Sequence, residues 1–259
     1  MQYALITGAS SGIGTEIARV LATKGYNLLL VARSGDKLTA LANELAAAHN
    51  ITAKTLSSDL SKPDAPAQVF QYTQQEGIEV EVLVNNAGFA DFGEFWLANW
   101  DKNAEMIDLN IKTLTHLTHL FLPGMVARKS GRVLNVASTA AFMPGPLMSV
   151  YYATKAYVLS FSEAIANELK GTGVTVTALC PGPTASNFQS KAEMGDSKLV
   201  KGAKLPSALV VAEYGVKAML QGKTVAIHGF MNRILANIPR LLPRKIVAGM
   251  VRNAQDRTH

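Results

Sequence analysis

Cysteine is nearly absent: Cys180 is the single one in 259 residues. A lone thiol forms no intramolecular disulfide and supplies no cysteine cluster for a structural zinc site. His116 and His119 stand one helical turn apart, but no carboxylate cluster accompanies them, and no metal is expected. No uninterrupted apolar run approaches the roughly 20 residues that a membrane-spanning helix requires. The opening "QYALIT" carries no basic-then-apolar leader, so a soluble, cytoplasmic protein is expected. Charged residues make up only 17% of the chain, and the net charge of +6 is spread over lysines and arginines placed singly or in pairs. A basic helix or aromatic-interleaved stripe of the kind that tracks a phosphate backbone is missing, which excludes nucleic acid as the expected partner. Internal repeats and Gly/Ser linkers are missing too, and the length suits one domain spanning residues 1–259.

What is present is alternation. Short apolar runs rich in leucine or β-branched residues ("YALIT", "YNLLLVA", "ITAKTL", "VEVLV", "RVLNVAS", "GVTVTALC", "KTVAIHG") are separated by stretches of helical periodicity. The helices are expected at Ile13–Lys24, Lys37–Ala48, Ala65–Glu76, Asp101–Leu122, Tyr151–Lys170 and Ala208–Leu220. Strands joined by helices of this length need crossover connections, which makes the sheet parallel with helices on both faces. The expected fold is a doubly wound, Rossmann-like α/β domain, with ligands beyond the carboxyl ends of the strands. Two stretches lack clear periodicity, Gly88–Trp100 and Pro181–Pro206.

Directly after the first strand comes "TGASSGIG", followed by the helix "TEIARVLATKG". Glycines permit a tight turn and close backbone approach, and a helix N-terminus offers unpaired N–H groups to a pyrophosphate. Gly8, Ser10, Ser11, Gly12, Ile13 and Gly14 are therefore expected to hold a dinucleotide. Three residues separate the first two glycines, unlike the G-x-G-x-x-G fingerprint, so the turn alone also fits a connection without ligand. At the end of the second strand, where an acid usually meets the ribose 2′-hydroxyl, stands Arg33. A guanidinium suits a 2′-phosphate, with Lys37 adding charge, and NADP(H) is the expected cofactor. Asp36 falls three residues later, where it suits a helix cap instead.

In "SVYYATKAYV", Tyr151 and Tyr152 both reach Lys155 on a helix, at i,i+4 and i,i+3. The apolar stripe of Val158, Ile165 and Leu169 lies on the side shared by Tyr151 and Lys155, whereas Tyr152 turns toward Glu163 and Asn167. A lysine on a buried stripe needs a reason. It either reaches a carbonyl or carboxylate, or it lowers the pKa of the phenol for proton transfer.

"TGASSGIG", "NNAG" at Asn85–Gly88, the serine ending "VLNVAS", "YYATK" and "PGPT" at Pro181–Thr184 occur in the order and spacing of the short-chain dehydrogenase/reductase family, which residues 2 to about 230 resemble. The resemblance implies that Tyr151 exchanges a proton with a substrate carbonyl or alcohol. It makes Lys155 the group that lowers the tyrosine pKa and holds the nicotinamide ribose. Ser138 would hydrogen-bond the reacting oxygen, and Asn110 would support the lysine through water. Asp59 and Leu60 would lie beside adenine, Asn86, Ala87 and Gly88 along the ribose, and Pro181, Gly182 and Thr184 beside the nicotinamide. The implied activity is NADP(H)-dependent hydride transfer to or from a small hydrophobic molecule, by a homo-oligomer. A dinucleotide-sensing regulator is the alternative, but it would not need the set Asn110, Ser138, Tyr151 and Lys155.

Apolar loops flank the expected cleft. Phe142, Met143 and Met148 are its expected pocket residues, while Phe89, Phe92, Phe95, Trp96 and Trp100 are expected in the core or an oligomer interface. The long polar segment at about 184–206 reads as a lid that orders on cofactor binding. Beyond the last strand, residues 231–257 form a basic amphipathic pattern, with Ile234, Ile238, Leu241, Leu242 and Ile246 opposite Arg233, Arg240 and Arg244. Pro239 and Pro243 break it into two short helices or a kinked one. Packing on the protein's own core, cleft or partner subunit is the favoured use, and peripheral membrane contact the other.

Overall fold

The structure, a computed structural model, describes residues 2–185 and 205–256. Its strands are β1 (Tyr3–Thr7), β2 (Asn27–Ala32), β3 (Ala53–Ser57), β4 (Val80–Asn85), β5 (Gly131–Val136), β6 (Val174–Cys180) and β7 (Val225–Ile227). They pair in parallel throughout, in the order β3-β2-β1-β4-β5-β6-β7. The helices are α1 (Gly12–Ala22), α2 (Gly35–His49), α3 (Ala65–Gln75), α4 (Trp100–Ile107), α5 (Leu114–Arg128), α6 (Ser149–Glu168), α7 (Ala208–Leu220), α8 (Phe230–Asn237) and α9 (Arg244–Gln255). This is the doubly wound sheet expected from the alternation. The expected lid falls largely on residues 186–204, outside the described ones.

The sheet is buried on both faces, and side chains alternate between them. Ala4, Ile6, Leu28, Leu30, Val82 and Val84 pack against Ile17, Leu21, Leu38, Leu45 and Val216 of α1, α2 and α7. Leu5, Leu29, Leu83 and Val133 face Val69, Leu117, Phe121 and Ile165 of α3, α5 and α6. Each buried valine, leucine, isoleucine or phenylalanine among them contributes about 1.5–3 kcal/mol, which is why strands enclosed this way read as continuous apolar runs.

One expected helix is built differently. Asp101–Leu122 reads as a single rod, but the chain forms α4, then a π-helical stretch at Asp108–Thr113, then α5, which continues past Pro123 to Arg128. Wider turns of this kind accommodate one extra residue inside a helix and recur at functional positions. Here the wide turn contains Asn110, which is buried. Pro123 loses one backbone hydrogen bond yet stays within the helix, and Lys129 ends it in the left-handed region.

The order of strands reverses between β1 and β4, and a hydroxyl ties the two exits together. Thr7 Oγ1 donates to Val84 O (3.2 Å) and accepts from the backbone N–H groups of Asn86 and Ala87, both at 3.0 Å. Farther down, the amide of Asn85 donates to Asn135 Oδ1 (2.9 Å) and Thr118 Oγ1 (3.0 Å), and Asn135 donates to Ser162 Oγ (2.9 Å). That network links β4, β5, α5 and α6 beneath the switch point.

Thr7→Val keeps the shape of the side chain and leaves two N–H groups without their acceptor. A loss of about 2–4 kcal/mol in urea unfolding is expected, with Thr7→Ser recovering most of it. A Thr7→Val protein as stable as the parent would show that the hydroxyl does not hold the two strands.

Candidate active site

The glycine turn after β1 is shaped by backbone that no side chain could share. Gly8 and Gly12 have φ of +66° and +61°, a region that favours glycine. A Cβ on Gly14 would lie 2.4 Å from both Gly8 O and Asn86 Nδ2. The Asn86 amide in turn donates to Thr7 O (2.9 Å) and Gly8 O (3.2 Å). Ser11, which starts α1, makes no side-chain cap to the helix, so the first-turn N–H groups stay available to an anion. These features fit the pyrophosphate of a dinucleotide. Gly8, Ser10, Ser11, Gly12 and Ile13 line the cleft; Gly14 does not, and serves instead as the close-contact point between helix and turn.

Arg33 leaves β2 at the rim of the same cleft, exposed and 3.5 Å from Glu105. Ser34, not Asp36, occupies the N-cap of α2, and Asp36 lies in its first turn. Asp59 accepts from Ser61 N (3.2 Å) and Ser61 Oγ (2.8 Å). Burial opposes its charge, but these bonds and the nearby Arg33 and Lys62 outweigh that and lower its pKa. Asp59 and Leu60 line the cleft beside Arg33, followed by Asn86, Ala87 and Gly88.

α6 carries Tyr151 and Lys155 into the floor. Both are buried, at 8% and 6% exposure. Tyr151 stands beside Ser138, which draws the phenol pKa down and whose hydroxyl donates to Pro181 O (3.4 Å) and accepts from Ala140 N (3.1 Å). Lys155 Nζ donates to Val136 O at 2.7 Å and lies 5.7 Å from the Tyr151 ring centre. The lysine thus reaches a strand-end carbonyl, the first of its two readings, and stands beside the phenol. The electrostatics differ from expectation. Burial raises the Tyr151 pKa well above its ordinary value, with Ser138 opposing, and burial brings Lys155 down to about 8. Desolvation dominates at both groups, and Lys155 donates to the Val136 carbonyl rather than to the phenol.

Asn110 lies behind the floor, outside the cleft lining. Its side chain accepts from Phe89 N (3.2 Å) and donates to Phe89 O (3.0 Å) and Thr154 Oγ1 (3.1 Å). Thr154 donates to Tyr151 O (2.7 Å). A Cβ on Gly88 would come within 2.8 Å of Asn110 Oδ1, so the glycine lets the loop sit against the π turn.

From the glycine turn to α8 the cleft as a whole encloses about 420 Å³. Met143, Met148 and Phe89 line it, whereas Phe142 packs into the core beside Val158 and Cys180. Pro181, Gly182 and Thr184 border it, and a Cβ on Gly182 would strike Asn232 of α8. Asn232 and Leu235 close that side. Tyr152 does not point away, as the helical face suggested. It lines the cleft, its ring stands edge-on to Tyr151, and its hydroxyl accepts from the buried Gln255 of α9. α9 covers the start of α6, so the face that is outward at Glu163 is enclosed at Tyr152. Thr7, Thr154, Asn232 and Leu235 escaped the sequence reading. Thr7 alone offered a signal, as the polar residue between an apolar strand and the first glycine.

A parallel sheet reversing at a glycine turn, with a buried tyrosine, serine and lysine at the floor of its cleft, defines a dinucleotide-dependent oxidoreductase. The chain belongs to the short-chain dehydrogenase/reductase family: the family's short chain dehydrogenase profile matches residues 2–196. It is similar to the very-long-chain 3-oxoacyl-CoA reductases of Mus musculus and Homo sapiens, each 32% identical over 99–100% of this chain and 81% of the relative. Among solved structures it resembles a short-chain dehydrogenase from Sphingobium yanoikuyae in complex with NADPH (30% identity, TM-score 0.83, 93% and 94% of the two chains). A 7beta-hydroxysteroid dehydrogenase is similar as well (25% identity, TM-score 0.84, 96% of each chain). The protein is accordingly an enzyme acting on CH–OH or C=O groups.

The depressed Lys155 has a consequence for stability. Between about 8 and the ordinary value of 10.5 the unfolded chain holds a proton on this lysine that the folded one has shed, so folding gains stability as pH rises through that window. Urea titrations should show the parent gaining on Lys155→Met across this range. Parallel curves would place the lysine in water.

Proposed function

We propose that the enzyme uses NADPH to reduce a ketone on a long apolar substrate, of which a 3-oxoacyl thioester is the first to test. The observation that carries this reading is the buried Tyr151 beside Ser138 beneath a wall of Met143, Met148, Phe89 and Leu235. Bound NADPH would supply the hydride to the carbonyl carbon. Tyr151 keeps its proton at neutral pH, because burial disfavours the phenolate, and is set to give it to the oxygen that gains charge. Ser138 donates to the same oxygen and stabilises that charge. Lys155, anchored on Val136 O, fixes the floor and presents its ammonium to the ribose side. Asn110 is a positioning residue, clamping the Phe89 backbone and, through Thr154, the helix turn that bears Tyr151.

For the cofactor, Arg33 would grip the 2′-phosphate, with Asp59 and Leu60 beside the adenine and Asn86, Ala87 and Gly88 along the ribose. Pro181, Gly182 and Thr184 would border the nicotinamide. The similarity to acyl-CoA reductases, and the apolar wall, support an acyl chain over a sugar.

NADPH consumption with 3-oxoacyl-CoA substrates of increasing length tests the reading. kcat/KM should climb by up to roughly four-fold per methylene until the wall is filled. A flat series would reject the acyl chain, and no turnover of any ketone would reject the reductase.

Two substitutions test the assignments. Arg33→Ala should weaken NADPH binding by about 1.5–3 kcal/mol and spare NADH, whereas equal losses would remove the 2′-phosphate from Arg33. Tyr151→Phe should nearly abolish turnover while NADPH affinity holds, and Tyr152→Phe should retain turnover. Loss of activity only in Tyr152→Phe would reverse the roles.

A further inference from the structure

Both tryptophans of the chain lie exposed on its surface, Trp96 at 75% and Trp100 at 66%. Their neighbours Phe95 and Leu97 are exposed as well. Phe95, Trp96 and Trp100 had been expected in the core or an oligomer interface, and among the described residues they lie outside the core. The segment that bears them is held against α9, because Arg252 of α9 pairs with Glu94 at 2.7 Å.

α9 itself is only half used. It buries Val247, Val251 and Gln255, spaced four residues apart, and presents Ile246 and Met250 outward on the adjacent stripe. α8 buries Ala236 and presents Phe230 and Met231. Packing on the protein's own core therefore accounts for one stripe of this region and leaves a larger apolar face. The aromatic segment follows β4 and α8 follows β7, so both leave the sheet at its carboxyl end, the end where Leu235 lines the mouth of the cleft. Scattered exposed apolar residues are ordinary, but this many on segments that leave one end of the sheet and are tied together by Glu94 and Arg252 mark an interaction surface.

Charge selects the occupant. Where α8 passes into α9, Arg240, Arg244 and Lys245 are exposed around Leu241, which is 85% exposed. Among the described residues none of the three cations forms an ion pair. A second copy seated on this face by two-fold symmetry would gather the same cations from both chains into one interface, which like-charge repulsion opposes. An anionic bilayer satisfies both components, since tryptophan rings favour the headgroup region and basic amphipathic helices lie in it. Among the described residues no helix is long and apolar enough to cross a membrane, which leaves contact with one leaflet.

We propose that this rim docks on an anionic lipid surface. Trp96, Trp100 and Leu241 enter the headgroup region, Arg240, Arg244 and Lys245 face lipid phosphates, and the mouth of the cleft opens toward the acyl chains.

Tryptophan fluorescence tests this directly, because both fluorophores sit in the patch and none lies elsewhere. With phosphatidylcholine/phosphatidylglycerol vesicles at low salt, the full-length protein should co-sediment and its emission should shift to the blue. Pure phosphatidylcholine should produce neither effect, and raised salt should release the protein. The triple variant R240E/R244E/K245E should partition at least about ten-fold more weakly while keeping the parent's turnover of a water-soluble ketone. The proposal is overturned if the protein stays in the supernatant with anionic vesicles, or if the triple variant binds like the parent. It is equally overturned if a blue shift tracks protein concentration without lipid and coincides with a dimer on gel filtration, which would assign the face to a second copy.

Discussion

The hydroxyl of Thr7 decides where β1 and β4 part. Neighbouring parallel strands whose chains then run to opposite faces of the sheet must leave backbone N–H groups unpaired at the point of divergence, and unpaired buried groups are costly. Thr7 Oγ1 takes two of them, from Asn86 and Ala87, and the Asn86 side chain returns two donations to Thr7 O and Gly8 O. The crevice is thereby held open without a loss of hydrogen bonding. Gly8 and Gly14 are required because this stitch brings Asn86 to the place their side chains would occupy. The floor residues on α6 and the wall from α8 are then arranged around a gap that the stitch defines.

Desolvation governs the chemistry of that gap. Tyr151 and Lys155 are buried together, and burial favours the neutral form of each, pushing the phenol up and the ammonium down. A phenol that retains its proton is matched to giving it away when a neighbouring oxygen gains charge, as the proposed reduction requires. Ser138 draws the phenol pKa the other way, so the serine moderates the release of the proton.

The legibility of the sequence followed the range of the interactions concerned. The sheet was readable because strands buried on both faces are continuous apolar runs, and Leu28–Val31 can be little else. That the glycine turn and Arg33 line the cleft was legible from their strand ends, and that Tyr151 and Lys155 share a face from their helical spacing, whereas Ser138 came from the family resemblance. Tyr152 was misplaced because helical periodicity knows only its own helix, and the residue covering it arrives from α9. Phe142 looked like pocket and is core because a short 3-10 turn at Thr139–Phe142 directs it under α6. Asn110 was located, but the π turn that buries it has no sequence signature separate from that of an ordinary helix.

The contact between Tyr152 and Gln255 joins residues 103 positions apart, and it sets an order on biosynthesis. When residue 185 has left the ribosome, the strands β1 to β6, the glycine turn and the floor of the cleft are all available to fold. The side formed by Asn232, Leu235 and Gln255 is still missing. A nascent chain at that stage has an uncovered tyrosine pair and a sheet face that still lacks α7, whose Val211, Val216 and Met219 complete the core with α1. The substrate wall and the last part of that core therefore arrive together, at the end of synthesis.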